Sequence, residues 1–231
     1  MAAPDTVLPV ACLHDDVVFP GEVRTLVVEH PAVRAVFEAH PEPDTRVVLA
    51  YAEDGRAGAD LDGCLAVGTE ARVLDRVALD DDALSVVVQG IERVKLGPVV
   101  SPAPALACHI ERLPDPSPGK RRPTLRAKQL IGLYERLIDA TDRHPKGLLG
   151  VLRHNQGNLE RLPDLLGAGL QVEYGLRLGL IEAETTEARF DAAVALLRGE
   201  FDRIQVGKEV DKKTKREIDE SRREYFLRQQ L

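Results

Sequence analysis

Tryptophan is absent from this 231-residue sequence, methionine occurs once, and aromatic residues make up 4% of the chain. Stacking platforms for single-stranded nucleic acid and aromatic clefts for sugars are therefore poorly supplied. Three cysteines (Cys12, Cys64 and Cys108) are too few and odd in number for a disulfide framework, and suit a reducing compartment. The four serines, Ser85, Ser101, Ser117 and Ser221, lie outside any G-x-S-x-G setting, and none has a lysine placed to activate it. The phosphate-cradling G-x-x-x-x-G-K-[ST] pattern does not occur. Gly119-Lys120 sits in a proline-rich stretch with no strand before it, which reads as a loop. No apolar run approaches the roughly 18 residues that span a bilayer. The first residues lack the basic flank and long apolar run of a secretory signal. A cytoplasmic protein with no membrane partner is the expectation.

Metal chemistry is also thinly supported. Cys12 with His14 and Cys108 with His109 could contribute ligands, but the C-x₂₋₄-C pairs of tetrahedral sites are missing. Cys108 and His109 are adjacent, so on a strand they point to opposite faces. The acids of "EDGRAGADLDG" and "LDDDAL" do not fit a calcium-loop pattern and read as turns. No metal and no cofactor are expected in this chain.

Charge is present but divided. The formal net charge is −7, yet residues 1–118 carry 9 Lys+Arg against 20 Asp+Glu, a net of −11, and residues 119–231 carry 22 against 18, a net of +4. The acidic half would repel a phosphate backbone, and the basic half is interleaved with acids like solvated helices. Nucleic acid is an improbable partner on this ground.

The acidic half reads as strands. "LPVACL", "DVVFPGEV", "TLVVEH" and "RVVLAY" are short apolar or β-branched runs punctuated by Pro and Gly, with one short helix in "HPAVRAVFEAH", where Val33, Val36 and Phe37 share a face. "CLAVGTEARVLDRVAL", the turn Asp80–Asp82 and "ALSVVVQGIERVKLGPVV" make a long hairpin, with bulges or tight bends expected at Gly68 and Gly90. A small, strongly curved sheet or barrel follows. "LPDPSPGKRRP", with four prolines in eleven residues, can continue neither sheet nor helix and is the expected joint.

Beyond it the period becomes helical. Leu130, Leu133, Tyr134, Leu137 and Ile138 share a helix face, with Thr124 as its cap. Helices beginning near Pro145, after an Asn158 cap with Pro163 either in the first turn or kinking the helix, and at "VEYGLRLGLIEA" complete a small bundle. From Thr186 onward there is neither Pro nor a turn cluster. Phe190, Val194, Leu197, Phe201 and Ile204 form a packing seam that turns polar at Lys208, Asp211 and Lys215, then resumes at Ile218 and Tyr225. Such a helix reaches roughly 65 Å, further than the bundle can cover. Its middle is expected in solvent. It carries no stop signal, and the apolar tip of Tyr225, Phe226, Leu227 and Leu231 is left needing a partner. The fold class is α+β: a β-rich lobe at 1–113, a linker at 114–123, a helical bundle at 124–185 and a long protruding helix at 186–231.

Three stretches, in order, carry a resemblance. "LPVACLHDDVVFPGEV", "AVGTEARVLDRVAL" with "VVVQGIERVKL", and "SRREYFLRQQL" resemble the successive N-terminal signatures of the ATP-dependent Lon protease family. His14 and Phe226 depart from the family's usual Arg and Tyr. The resemblance implies a PUA-like β lobe, and a long helix that leads into an ATPase ring and a Ser-Lys protease. ATP, Mg and the catalytic dyad then belong to that absent part. It further implies a homo-hexameric parent and a non-catalytic module that captures unfolded, damaged or degron-bearing proteins. A stand-alone adaptor, or a PUA-like RNA-binding protein, are the alternatives.

A domain that grips unfolded chains needs exposed apolar surface. The candidate contacts are Leu13, Phe19, Pro20 and Val23, with Phe19 alternatively filling the barrel core. Tyr225, Phe226 and Leu227 are candidates for contact with a neighbouring subunit or the ATPase module, and alternatively with substrate.

Overall fold

The computed structural model describes residues 6–53, 60–79, 82–102, 106–113 and 124–229, with side chains of the last helix described through 210, at 212–214 and at 218. The expected joint at 114–123 lies outside the described residues, as do Leu231 and Asp80–Asp81 of the hairpin turn.

Six strands build one sheet: β1 (Thr6–Leu13), β2 (Val23–Val28), β3 (Arg46–Tyr51), β4 (Val67–Ala78), β5 (Leu84–Ser101) and β6 (Ala107–Arg112). Their order is β2-β5-β4-β3-β1-β6, and β6 also pairs with β5. Strands β1, β3, β4, β5 and β6 thus close into a small barrel, with β1 and β3 parallel and the other pairs antiparallel. Closure removes the edges those five strands would otherwise expose. The 18-residue β5 makes it possible: its first half pairs with β2 and its second half with β6. Strand β2 is left outside the ring with one neighbour among the described residues.

Two register shifts bend the β4–β5 hairpin, where Ile91 and Leu74 are the extra residues. The two glycines in its arms serve close approach. A Cβ at Gly68 would lie 2.6 Å from the Leu49 carbonyl oxygen, and one at Gly90 2.3 Å from that of Phe19. Gly90 also borders the Ile91 bulge. The short helix α1 (Pro31–Glu38) begins on proline and buries Val33, Val36 and Phe37, the face read from the sequence. "DVVFPGEV" reads as a strand in the sequence, but Asp16–Glu22 forms a loop between β1 and β2. The reason is local: Pro20 lacks an N–H, and Gly21 adopts φ +80, a turn geometry that a ladder cannot hold. Strand β6 is the one element with no counterpart in the sequence reading.

Five helices follow: α2 (Leu125–Ala140), α3 (Gly147–His154), α4 (Arg161–Gly169), α5 (Tyr174–Glu182) and α6 (Thr186–Gln229). The Thr124 hydroxyl accepts from the Ala127 N–H at 3.2 Å, the cap expected there. Pro163 falls in the first turn of α4. The first part of α6 buries Phe190, Val194, Leu197 and Ile204 against the bundle, while Val206 and Val210 stand exposed. Ile218, expected to resume the seam, is 52% exposed. Lys208 marks the departure point, where its ammonium donates to the last-turn carbonyl of Ala140 at 2.9 Å. No helix among the described residues is long and apolar enough to cross a membrane.

Sheet and helices share one apolar core. A single buried cluster runs from Val17, Phe19, Leu49 and Val86 to Leu130, Leu166, Ile181 and Leu197. A second, smaller cluster fills the other end of the barrel around Val48, Val94 and Cys108.

Candidate functional site

Of the expected contact residues, the structure sends two inward and leaves one outside. Phe19 is fully buried and Leu13 is 6% exposed. Pro20 is half-buried, and Val23 is 57% exposed. Phe19 therefore takes its core alternative. Its environment also differs from a plain barrel interior, because the ring is driven between the two lobes. A Cβ on Gly167 of α4 would lie 2.3 Å from the ring. The Arg177 guanidinium of α5 stacks over it, 5.5 Å from its centroid. The 16–22 loop is thus a key that fits a slot cut into the helices.

Polar bonds hold the key in place. Arg177 donates to the Val17 carbonyl at 2.6 Å and to Asp16 Oδ1 at 2.9 Å, with Glu22 3.9 Å away. Burial pushes its pKa down, and the two carboxylates act against that. Arg24 binds Glu22 at 2.8 Å and pairs with Asp16, closing a ring of two cations and two anions. Deeper in, the Tyr51 hydroxyl accepts from the Val18 N–H at 3.2 Å and donates to Thr69 Oγ1 at 2.9 Å. The Thr69 hydroxyl in turn donates to the Val18 carbonyl at 2.8 Å. Burial raises the Tyr51 pKa, so the hydroxyl keeps its proton and the network stays neutral. Two further clamps join the lobes. The Tyr174 hydroxyl lies 3.0 Å from the Ala52 carbonyl and 3.3 Å from that of Leu13. Arg93 of β5 donates to the carbonyls of Ile181, Ala183 and Glu184, covering the open end of α5.

With the loop consumed by packing, exposed apolar side chains lie elsewhere, several of them on the outer face of the β2–β5–β4 platform. Three cross-strand rows define it: Val27–Ser85–Val77, Thr25–Val87–Asp75 and Val23–Gln89–Arg72. Val27 is 58% exposed and Val77 53%. Leu74 and Leu79 are also exposed at its border. Val23 belongs to this platform, so one residue of the expected patch lies on it and the rest do not. Val27 and Val77 were missed. The signal for them is faint, because "TLVVEH" and "RVVLAY" look alike until pairing shows which face is covered.

Among the described residues no three His, Cys, Asp or Glu side chains converge on one point. The Cys12 and Cys64 sulfurs touch at 2.7 Å, with His14 exposed and Cys108 buried in the second cluster. Tyr225, Phe226 and Leu227 lie on the helical backbone of α6, and their side chains are outside the described residues.

Comparison with known proteins agrees with this architecture. Residues 7–199 match the family model of the ATP-dependent protease La (LON) substrate-binding domain. A Lon protease of Escherichia coli (strain K12) is 25% identical over 225 residues, covering 97% of this chain and 29% of that protein. One from Xanthomonas oryzae pv. oryzae is 30% identical over 231 residues, covering 97% of this chain and 26% of that protein. The chain therefore spans less than a third of the length of these relatives. The N-terminal domain of a Mycobacterium avium complex Lon protease superposes with a TM-score of 0.63 at 18% identity, covering 84% of this chain and 98% of that one. A Lon N-terminal domain protein from Xanthomonas campestris gives 0.54 at 19%, covering 82% and 98%.

Proposed function

Starting from the fact that the chain belongs to the Lon substrate-binding domain family, matched over residues 7–199, we propose that its exposed platform is where substrate proteins are captured. The chain is a substrate-recognition module of the Lon type. The observation that carries the platform reading is the exposure of Val23, Val27 and Val77 on three paired strands, with half-buried Val87 in the row between them. Apolar side chains that fold outward, with a fully keyed core beneath them, have no structural task left inside the chain.

Capture is the role this geometry supports. Unfolded, damaged or degron-bearing proteins expose apolar segments that native proteins bury, and such segments gain by covering the valines. Affinity is modest, because a disordered ligand loses conformational freedom on binding. In this reading the chemistry lies in the parent protein: nucleotide, Mg and the serine nucleophile belong to a hexameric ATPase–protease in the cytoplasm, which receives what this module holds.

Fluorescence anisotropy with reduced, carbamidomethylated lysozyme tests the reading. The unfolded probe binds and native lysozyme does not, and replacing Val27 and Val77 by Ser weakens binding about tenfold, a loss near 1.4 kcal/mol. Equal binding of folded and unfolded probe, or full binding by the double Ser variant, overturns it. Nucleotide hydrolysis or peptide cleavage by the purified chain overturns the non-catalytic part.

A further inference from the structure

The outer valines explain why something apolar settles on the platform, but not what holds an arbitrary sequence in register. The main chain of β2 supplies that. Its one ladder is with β5, and the register places Glu22 opposite Gly90, where the Gly90 N–H donates to the Glu22 carbonyl at 2.9 Å. Antiparallel ladders alternate, so Arg24, Leu26 and Val28 turn their N–H and C=O toward β5. Val23, Thr25 and Val27 turn theirs the other way, toward the side where β2 has no neighbouring strand. The same three residues hold the exposed side chains. Among the described residues, a barrel that closes its other edges thus leaves one strand with a free edge and an outward row of apolar side chains.

Charge narrows the occupant. Residues 1–118 carry a net −11. Cations around the platform are engaged: Arg24 with Asp16 and Glu22, Arg72 with Gln89 at 2.8 Å and Asp44 at 3.6 Å, Arg34 with Glu38 at 3.1 Å and Asp82 at 3.6 Å, and Arg76 with the Glu42 carbonyl at 3.1 Å. Glu29 and Asp75 stand exposed around it. Acids outnumber cations among the residues around the platform, a balance that favours a basic ligand.

We propose that the free edge of β2 receives an extended segment of an unfolded protein, apolar and basic in composition, as an added strand bonded to the main chain of Val23, Thr25 and Val27. This rests on the substrate-capture reading and gives it a mode. Main-chain hydrogen bonds are indifferent to sequence, which suits a module that must accept many chains. Side chains of the added strand alternate between faces, so every second one extends the Val23–Val27 row. The preferred segment therefore alternates apolar with basic residues over about the six residues of β2.

The experiment uses an acetylated octapeptide alternating Val and Lys, its Glu-for-Lys counterpart, and reduced, carbamidomethylated lysozyme. Amide hydrogen exchange is followed on the wild-type chain with and without each probe. Exchange at Val23, Thr25 and Val27 slows at least tenfold with the Lys peptide and with lysozyme, and little with the Glu peptide. Thr25→Pro removes one outward N–H without touching the β5 ladder and weakens binding about tenfold, whereas Thr25→Val binds as wild type does. Bound lysozyme with unprotected edge amides overturns the strand mode while leaving capture intact. So does protection that appears without probe and grows with protein concentration, which would assign the edge to a second copy of this chain. Equal binding of the Glu peptide overturns the charge preference. Absence of any lysozyme binding overturns capture itself. Should Thr25→Pro fail to fold, exchange on the wild-type chain still decides.

Discussion

Phe19 is inside because its neighbours leave no other place for it. The Gly21 turn reverses the chain, Gly90 lets the Phe19 carbonyl approach β5, and Gly167 leaves a hole in α4 of the shape of the ring. Phe19→Ala empties that hole and costs about 3–5 kcal/mol, read as a lower urea midpoint at unchanged slope. Gly167→Ala presses a methyl group into the ring, and Phe19→Leu relieves part of that. A double-mutant cycle between the two gives a coupling of at least about 0.5 kcal/mol, and additivity would contradict the key-and-slot contact. His144 offers a titration at the same scale. It is 2% exposed between α2 and α3, with Glu200 Oε2 of α6 at 3.5 Å. Burial lowers its pKa, outweighing Glu200, and nearby Arg143 adds to the lowering. The folded state thus binds this proton less readily than the unfolded state. The contribution is fully present above the ordinary histidine range near pH 6.5 and is lost as pH falls below it. Between pH 7.5 and 5.5 the Tm of the wild type falls more than that of His144→Gln, and parallel curves would exclude His144 as the cause.

At the scale of elements, α6 shows why some parts of the molecule are legible in sequence. A helix packed on one side writes its period plainly, and Phe190, Val194, Leu197 and Ile204 are buried where the spacing places them. Leu197→Ala is expected to cost about 2–5 kcal/mol, and Val206→Ala, on the exposed side of the same helix, to stay within about 0.5 kcal/mol. Thermal melts of the two variants check this, and equal losses would mean that α6 packs on a second face. The β half is less legible because its strands are apolar on both faces. "LVV" in β2 gives no alternation from which to tell Leu26 and Val28, which are buried, from Val27, which is not. Burial on the inner face is decided by barrel closure, a long-range event that no short window records. Strand β6 pairs with β1 about a hundred residues away and, through two register shifts, with the neighbouring end of β5, so neither pairing shows as a regular hairpin in the sequence. The 16–22 loop combines local strand breakers at Pro20 and Gly21 with burial by distant elements. Its Val17-Val18-Phe19 run has strand composition, but its apolar side chains are buried by helices that come more than a hundred residues later.

On the scale of the whole molecule, the contacts between the lobes decide how it unfolds. A proline-rich joint suggests two independent bodies, yet the described residues hold one apolar cluster spanning both. Phe19, Tyr174, Arg93 and Arg177 each bind across the boundary, with main-chain carbonyls as partners in three of the four cases. Separating the lobes would expose the Phe19 ring to water and break the bonds that Arg177, Arg93 and Tyr174 make to main-chain carbonyls, each at a cost. Sheet and helices should therefore melt together. Tyr51 in the sheet and Tyr134 in α2, both fully buried, report the two lobes separately in side-chain NMR, and far-UV circular dichroism reports mainly the helices. The expected result is one urea transition with coincident midpoints for all three signals, moved as a unit by Phe19→Ala. A helical signal that survives loss of the Tyr51 resonance would show instead that the key merely rests in its slot. The lobes would then move independently, and the platform on β2 could reorient freely with respect to α6.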